Sequence, residues 1–261
     1  MSYSEIKQAF RNISENTWNN INNAQRLNLK LGEVTITELI ILYLEILGST
    51  KIVTIPTSVK DEAIIGSDWE WRIGNDRLGW IKLFIQAKKL YRYYGFGYKD
   101  KKTKVLQVDK LRAYAYRNNG VPIYALYNYY ELDDYSKYWH CKCLLEKDQL
   151  GVTLAHANSV KNLLENGDAS NFENIHLCKM TIPLFCLIDS IIKFLKTKNP
   201  KDFIYRDIPA IYETLADLED NNPLIEFDEN SSDIELLNFS ISDLKSKNII
   251  NIDIGDDDEP K

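Results

Sequence analysis

The run Asp68-Trp69-Glu70-Trp71-Arg72-Ile73 constrains this chain more than any other segment. Polar and apolar side chains alternate with a period of two, which a β-strand turns into two chemically different faces. Trp69, Trp71 and Ile73 take one face; Asp68, Glu70 and Arg72 take the other. Two tryptophans side by side on a strand must be covered, so a second layer has to pack on that face. "WIKLFIQA" at 80–87 reads as the next strand, and "GNDRLG" at 74–79 reads as a hairpin turn joining the two. On this second strand Gln86 and Lys88 are two apart and share a face.

The neighbouring segments build an α/β fold around this pair. "KIVTIPT" at 51–57 is a third strand. Before it, residues 35–48 read as a helix with Leu39, Leu42, Tyr43 and Ile46 as its apolar face, Thr35 or Thr37 as N-cap and Gly48 as C-terminal cap. A helix at 105–119 stops at Gly120, and 121–129 is a buried strand. The order helix, three strands, helix, strand predicts a mixed β-sheet core flanked by helices. Residues 1–32 read as a loosely attached, Asn-rich N-terminal helical arm. Residues 131–212 read as a helical C-terminal extension packed on the core, with helices at 153–167 and at 180–198, the latter carrying Pro183 near its first turn. Residues 213–261 read as an acidic, partly disordered tail.

Charge is distributed unevenly along the 261 residues. The net charge is −6, yet eleven lysines and arginines face only Asp100 and Asp109 between Lys82 and Arg117, while fifteen acids face three lysines from Glu213 onward. Such asymmetry is the footprint of a nucleic-acid binder with an acidic tail, and it also occurs in proteins that bind no nucleic acid. The most apolar segments are short and interrupted by charge, which excludes a bilayer-spanning helix, and the N-terminus shows no signal-peptide core. Cys141, Cys143, Cys178 and Cys186 make no disulfide framework, so buried free thiols in a reducing cytoplasm are expected. The Cys-x-Cys spacing of "WHCKC" is too tight for a zinc knuckle, and His156 has no nucleophile partner in a recognisable motif.

If the hairpin pairs its strands, two carboxylates stand beside an amide and an ammonium. Hard oxygens of this kind suit Mg2+, which takes one or two carboxylates, waters and a substrate phosphate oxygen. A nearby lysine can orient the attacking water and offset charge on the phosphorane. A helix acid, a strand acid and a following strand that ends in Gln-x-Lys resemble the PD-(D/E)XK nuclease superfamily, in the Mrr-like restriction-endonuclease variant with Gln in place of the second acid. Residues 33–130 carry the resemblance, and within them "DWEW…QAK" is also similar to an uncharacterised bacterial family built on the same core. The resemblance implies a restriction-endonuclease-like core whose activity is Mg2+- or Mn2+-dependent cleavage of nucleic acid, DNA above all, with defence against foreign DNA as its setting. It implies Glu38 as the helix acid, with Glu33 as a competitor, and Asp68 as the metal-binding acid, with Glu70 a second carboxylate on the same face. Gln86 and the carbonyl of Ala87 complete the ligands, Lys88 sits by the water, and Gln107 points back in support.

Just past these residues, Lys89, Arg92, Lys99, Lys101, Lys102 and Lys104 interleave with Tyr91, Tyr93, Tyr94, Phe96 and Tyr98. Cations hold phosphates and rings stack on unpaired bases, so this loop can grip a nucleic acid; equally, its tyrosines can pack on the domain. Three alternatives stand beside the nuclease: a solvated cross-strand polar face, a non-catalytic nucleic-acid-binding module, and a protein-interaction subunit that docks a regulatory partner through its helical half. A homo-oligomer is compatible with all of them.

Overall fold

The computed structural model describes residues 3–197 apart from 48–51, 76–78, 102, 140–143 and 178–180. It is a three-layer α/β structure. The chain runs through α1 (Tyr3–Arg26), α2 (Glu33–Ile46), β1 (Ile52–Pro56), α3 (Val59–Ile65), β2 (Trp69–Asn75), β3 (Gly79–Lys89), α4 (Gln107–Arg117), β4 (Val121–Tyr127), β5 (Val152–His156), α5 (Ala157–Glu165), α6 (Phe172–Leu177), β6 (Thr181–Pro183) and α7 (Leu184–Thr197). The strands form one sheet in chain order, antiparallel except for the parallel pair β3–β4 that α4 connects. Prolines close both edge strands, Pro56 on β1 and Pro183 on β6, where a missing N–H costs no ladder bond.

The alternation at 68–73 behaves as expected. Trp69, Trp71 and Ile73 lie in the core beneath α1, α2 and α7, while Asp68, Glu70 and Arg72 are half-buried on the other side. β2 and β3 pair in register Trp69↔Ile85 and Glu70↔Phe84; the middle of the expected turn, 76–78, lies outside the described residues. The opposite face is covered by α4, α5, α6 and the loop after β3.

Five expectations are corrected. Residues 1–32 are no loose arm: Ile6, Phe10, Ile13 and Ile21 of α1 are core residues, and Phe10 stacks on Trp71 with centroids 5.5 Å apart. α2 buries Ile36, Ile40 and Leu44, whereas Leu39, Leu42 and Ile46 are exposed and Tyr43 is only partly buried. That helix is apolar nearly all round, so no single stripe marks its inner face. Its N-cap is Gly32, not Thr35 or Thr37, and its C-cap is Leu47; Gly48 lies outside the described residues. The extension is not wholly helical, because the predicted helices at 153–167 and 180–198 each begin with a strand that joins the sheet, and Pro183 ends β6 before α7 starts. Cys186 is disulfide-bonded, against the expectation of free thiols; the other three cysteines lie outside the described residues, as does the acidic tail. No helix of the described residues is long and apolar enough to cross a membrane.

Candidate functional site

A strand end, two helix termini and a short unpredicted helix converge beside the C-terminal half of β3. Asp68 sits one residue before β2, where its backbone bridges the flanking strands: its N–H donates to Ile85 O at 2.7 Å and its carbonyl accepts from Thr57 N at 2.8 Å. That fixes the carboxylate opposite Gln86. Gln86 Nε2 donates to Asp68 Oδ2 at 2.7 Å, and the Ala87 N–H donates to the same oxygen at 2.6 Å. Among the described residues no donor binds Oδ1. Gln86 is 1 % exposed, and its Oε1 accepts from Gln107 Nε2 at 2.7 Å, so Gln107, the first residue of α4, holds the amide from behind.

The helix acid is Glu33. It opens α2, and its Oε2 accepts from the Lys89 N–H at 2.8 Å while Oε1 lies 3.5 Å from Lys88 Nζ. Glu38 lies five residues further along, more than a full helical turn away, and is exposed. Glu33, and not Glu38, is therefore the α2 acid that the fold brings to the end of β3. Glu70 is also displaced: its carboxylate accepts from Arg72 Nε at 2.6 Å and lies off the cleft. The missed acid is Glu62, carried by α3 and 3.4 Å from Gln107 Nε2. Its signal was present in "SVKDEAIIG": Ser58 caps the helix by accepting from Asp61 N, and Gly66 ends it at φ 73°.

Glu33, Glu62, Lys88, Lys89 and Gln107 line a cleft of about 520 Å3; Asp68 and Gln86 are not in its wall and lie behind Gln107 and Lys88, joined to it through the Gln107–Gln86 bond. Of the cationic loop residues, Lys89 reaches the cleft wall; Arg92, Lys99, Lys101 and Lys104 are exposed outside it, and Lys102 lies outside the described residues. The aromatic residues divide. Tyr94 and Phe96 are buried in the core, as the packing alternative required, while Tyr91, Tyr93 and Tyr98 are exposed on the cleft rim.

Burial is the largest influence on Asp68 and raises its carboxyl from 3.8 to about 7; Glu62 and Glu33 add to the rise, against the Ala87 N–H and Lys88. A buried carboxylate whose charge two nearby acids disfavour is what a divalent cation relieves. Asp68, the Ala87 carbonyl, Glu62 and, with its amide turned over, Gln86 offer the hard oxygens that suit Mg2+. Among the described residues no group of three or more His, Cys, Asp and Glu side chains is arranged to hold a metal, so such a centre would draw on amide and backbone oxygens besides carboxylates.

The same shift has a consequence for stability. Because the folded value is raised, the contribution of Asp68 is fully present below 3.8 and lost as pH rises through about 7. In metal-free protein at about pH 8, Asp68→Asn is expected to raise the thermal midpoint by about 2–6 °C, since the amide removes a buried charge. The gap should shrink toward about pH 5 in a differential scanning measurement. An equal gap at both pH values would show that Asp68 is not held reluctantly charged.

Sheet, covering helices and cleft define an α/β protein with a carboxylate–amide–lysine recess at the end of β3. The chain belongs to a family of unknown function, DUF6615, whose profile matches residues 6–244. No curated protein matches the chain.

Proposed function

We propose that the protein is a metal-dependent nuclease that hydrolyses phosphodiester bonds of nucleic acid, with DNA as the favoured substrate and defence against foreign DNA as its setting. The observation that carries this reading is the convergence of Asp68, Gln86, the Ala87 carbonyl and Lys88 at one end of β3, with Glu33 and Glu62 beside them. Bound Mg2+ would supply Lewis-acid activation of water and of the phosphate. Asp68 and the neighbouring carbonyl oxygens would hold it, and Gln107 would steady Gln86. Lys88, kept in place by Glu33, would orient the water and offset charge developing on the phosphate. A catalytically silent nucleic-acid-binding module is the second reading, favoured by Asp68 Oδ2 already accepting two neutral donors.

The test is cleavage of plasmid and single-stranded DNA in Mg2+, Mn2+ or EDTA. Wild type should cut only with metal, and Asp68→Ala should not cut. Glu33→Gln should lower the rate by about tenfold or more by loosening Lys88, while Glu38→Gln leaves it unchanged. Failure of wild type to cut any substrate in any divalent metal would retire the enzyme reading; a loss confined to Glu38→Gln would restore the first assignment of the helix acid.

A further inference from the structure

We propose that the cleft accepts an unpaired nucleotide, making single-stranded nucleic acid the substrate class of this site; the inference rests on the nucleic-acid reading above. Tyr91, Tyr93 and Tyr98 line the outer wall of the 520 Å3 cleft and are 70 %, 46 % and 55 % exposed. Large aromatic side chains normally bury their rings, and the same loop does bury Tyr94 and Phe96. Three rings left at the mouth of one recess form a stacking surface. The Lys89 ammonium lies 4.0 Å from the Tyr91 ring centroid, and the Arg92 guanidinium 5.3 Å from that of Tyr93, so cations stand beside the rings as they do where bases and phosphates alternate along a strand.

Charge within the cleft argues that bases, and not phosphates alone, must supply affinity. Lys88, Lys89 and Lys110 line it together with Glu33, Glu62 and Asp100. Lys88 pairs with Glu33, and Lys110 lies 3.1 Å from Asp100. Three cations against three acids leave little net attraction for a phosphate backbone. A duplex keeps its bases stacked on one another and offers these rings nothing. An unpaired base can lie on a tyrosine while its phosphate extends toward Lys88 and the exposed Lys99, Lys101 and Lys104 beyond the rim.

The experiment is fluorescence anisotropy in EDTA with three labelled probes of one length: a single strand, its duplex, and a strand whose bases are replaced by abasic sites. The single strand is expected to bind about tenfold more tightly than either of the others, and Tyr91→Ala/Tyr98→Ala to lose about tenfold on the single strand and little on the abasic one. These tyrosines are exposed, so the double variant should retain the thermal midpoint of wild type. Duplex binding as tight as strand binding, an abasic strand bound as well as the intact one, or no binding at all would overturn the inference. Without metal the outcome is independent of catalysis. Strand-selective binding with no cleavage in any metal would leave this inference standing and remove the nuclease; metal-dependent cutting without strand preference would do the reverse.

Discussion

Lys88→Met is expected to reduce metal-dependent cleavage by about 10²–10⁴-fold with folding intact, the range in which a positioned proton-transfer or charge-stabilising group acts. The reason lies in its placement. Lys88 shares its strand face with Gln86, is paired across the parallel ladder with Leu126, and is only 9 % exposed. An ammonium so nearly desolvated is costly, and 3.5 Å to Glu33 at the cleft wall is the pairing that offsets it. Met keeps the length of the stem and the packing but removes the charge. Glu33 retains its bond from the Lys89 N–H, so the α2 terminus stays anchored. Lys89→Met is the control. Its side chain is as buried as that of Lys88, but its ammonium lies over Tyr91, and its loss should cost at most the about thirtyfold of a desolvated cation–π contact. Initial rates of cleavage of single-stranded DNA and of plasmid in Mg2+ decide the matter. Comparable rates for Lys88→Met and wild type would remove Lys88 from the chemistry.

The sequence made the strand pair readable and the helix acid unreadable for related physical reasons. At 68–73 the two faces differ sharply in polarity, so period two dictates register, and register alone places Asp68 opposite Gln86 and turns Trp71 into the core. In α2 the apolar residues surround the helix, and neither its inner face nor its start is marked. It begins at Gly32–Glu33 and not at a threonine. The displaced cap and the expectation of Glu38 ahead of Glu33 thus share one cause, because an unmarked helix start hides which acid stands beside the end of β3. β5 and β6 escaped notice because each runs into a helix with no intervening turn; His156 ends β5 and also caps α5, its Nδ1 accepting from Asn158 N at 3.1 Å. The core role of α1 did carry a signal. Ile6, Phe10, Ile13 and Ile21 recur at helical spacing beneath an Asn-rich, polar exterior.

Gly151→Ala is expected to destabilise the protein by about 3 kcal/mol, lowering the thermal midpoint by about 6–12 °C. Gly151 ends a 3-10 turn at Lys147–Gly151 and enters β5. A Cβ there would lie 2.0 Å from the Ser14 carbonyl oxygen and 2.8 Å from Trp18 N, both backbone atoms of α1. Neither side can yield cheaply. The turn is held from behind, with the Asn128 N–H donating to the Gly151 carbonyl at 2.9 Å and Asn128 Nδ2 to the Leu150 carbonyl at 2.8 Å. α1 is held by its buried stripe and by Lys7, whose Nζ lies 2.6 Å from Asp189 on α7. The added methyl group must therefore push α1 off the sheet, loosening Phe10 from Trp71 and uncovering the tryptophan face of β2. Gly97→Ala is the matched control, since a Cβ at Gly97 meets nothing within 4 Å. Thermal melts and limited proteolysis near residues 3–26 distinguish the two outcomes. A Gly151→Ala protein as stable as Gly97→Ala, with α1 no more readily cleaved, would mean that the helix is the detachable arm its polar composition suggests, and that the tryptophans of β2 are covered well enough by α2 and α7.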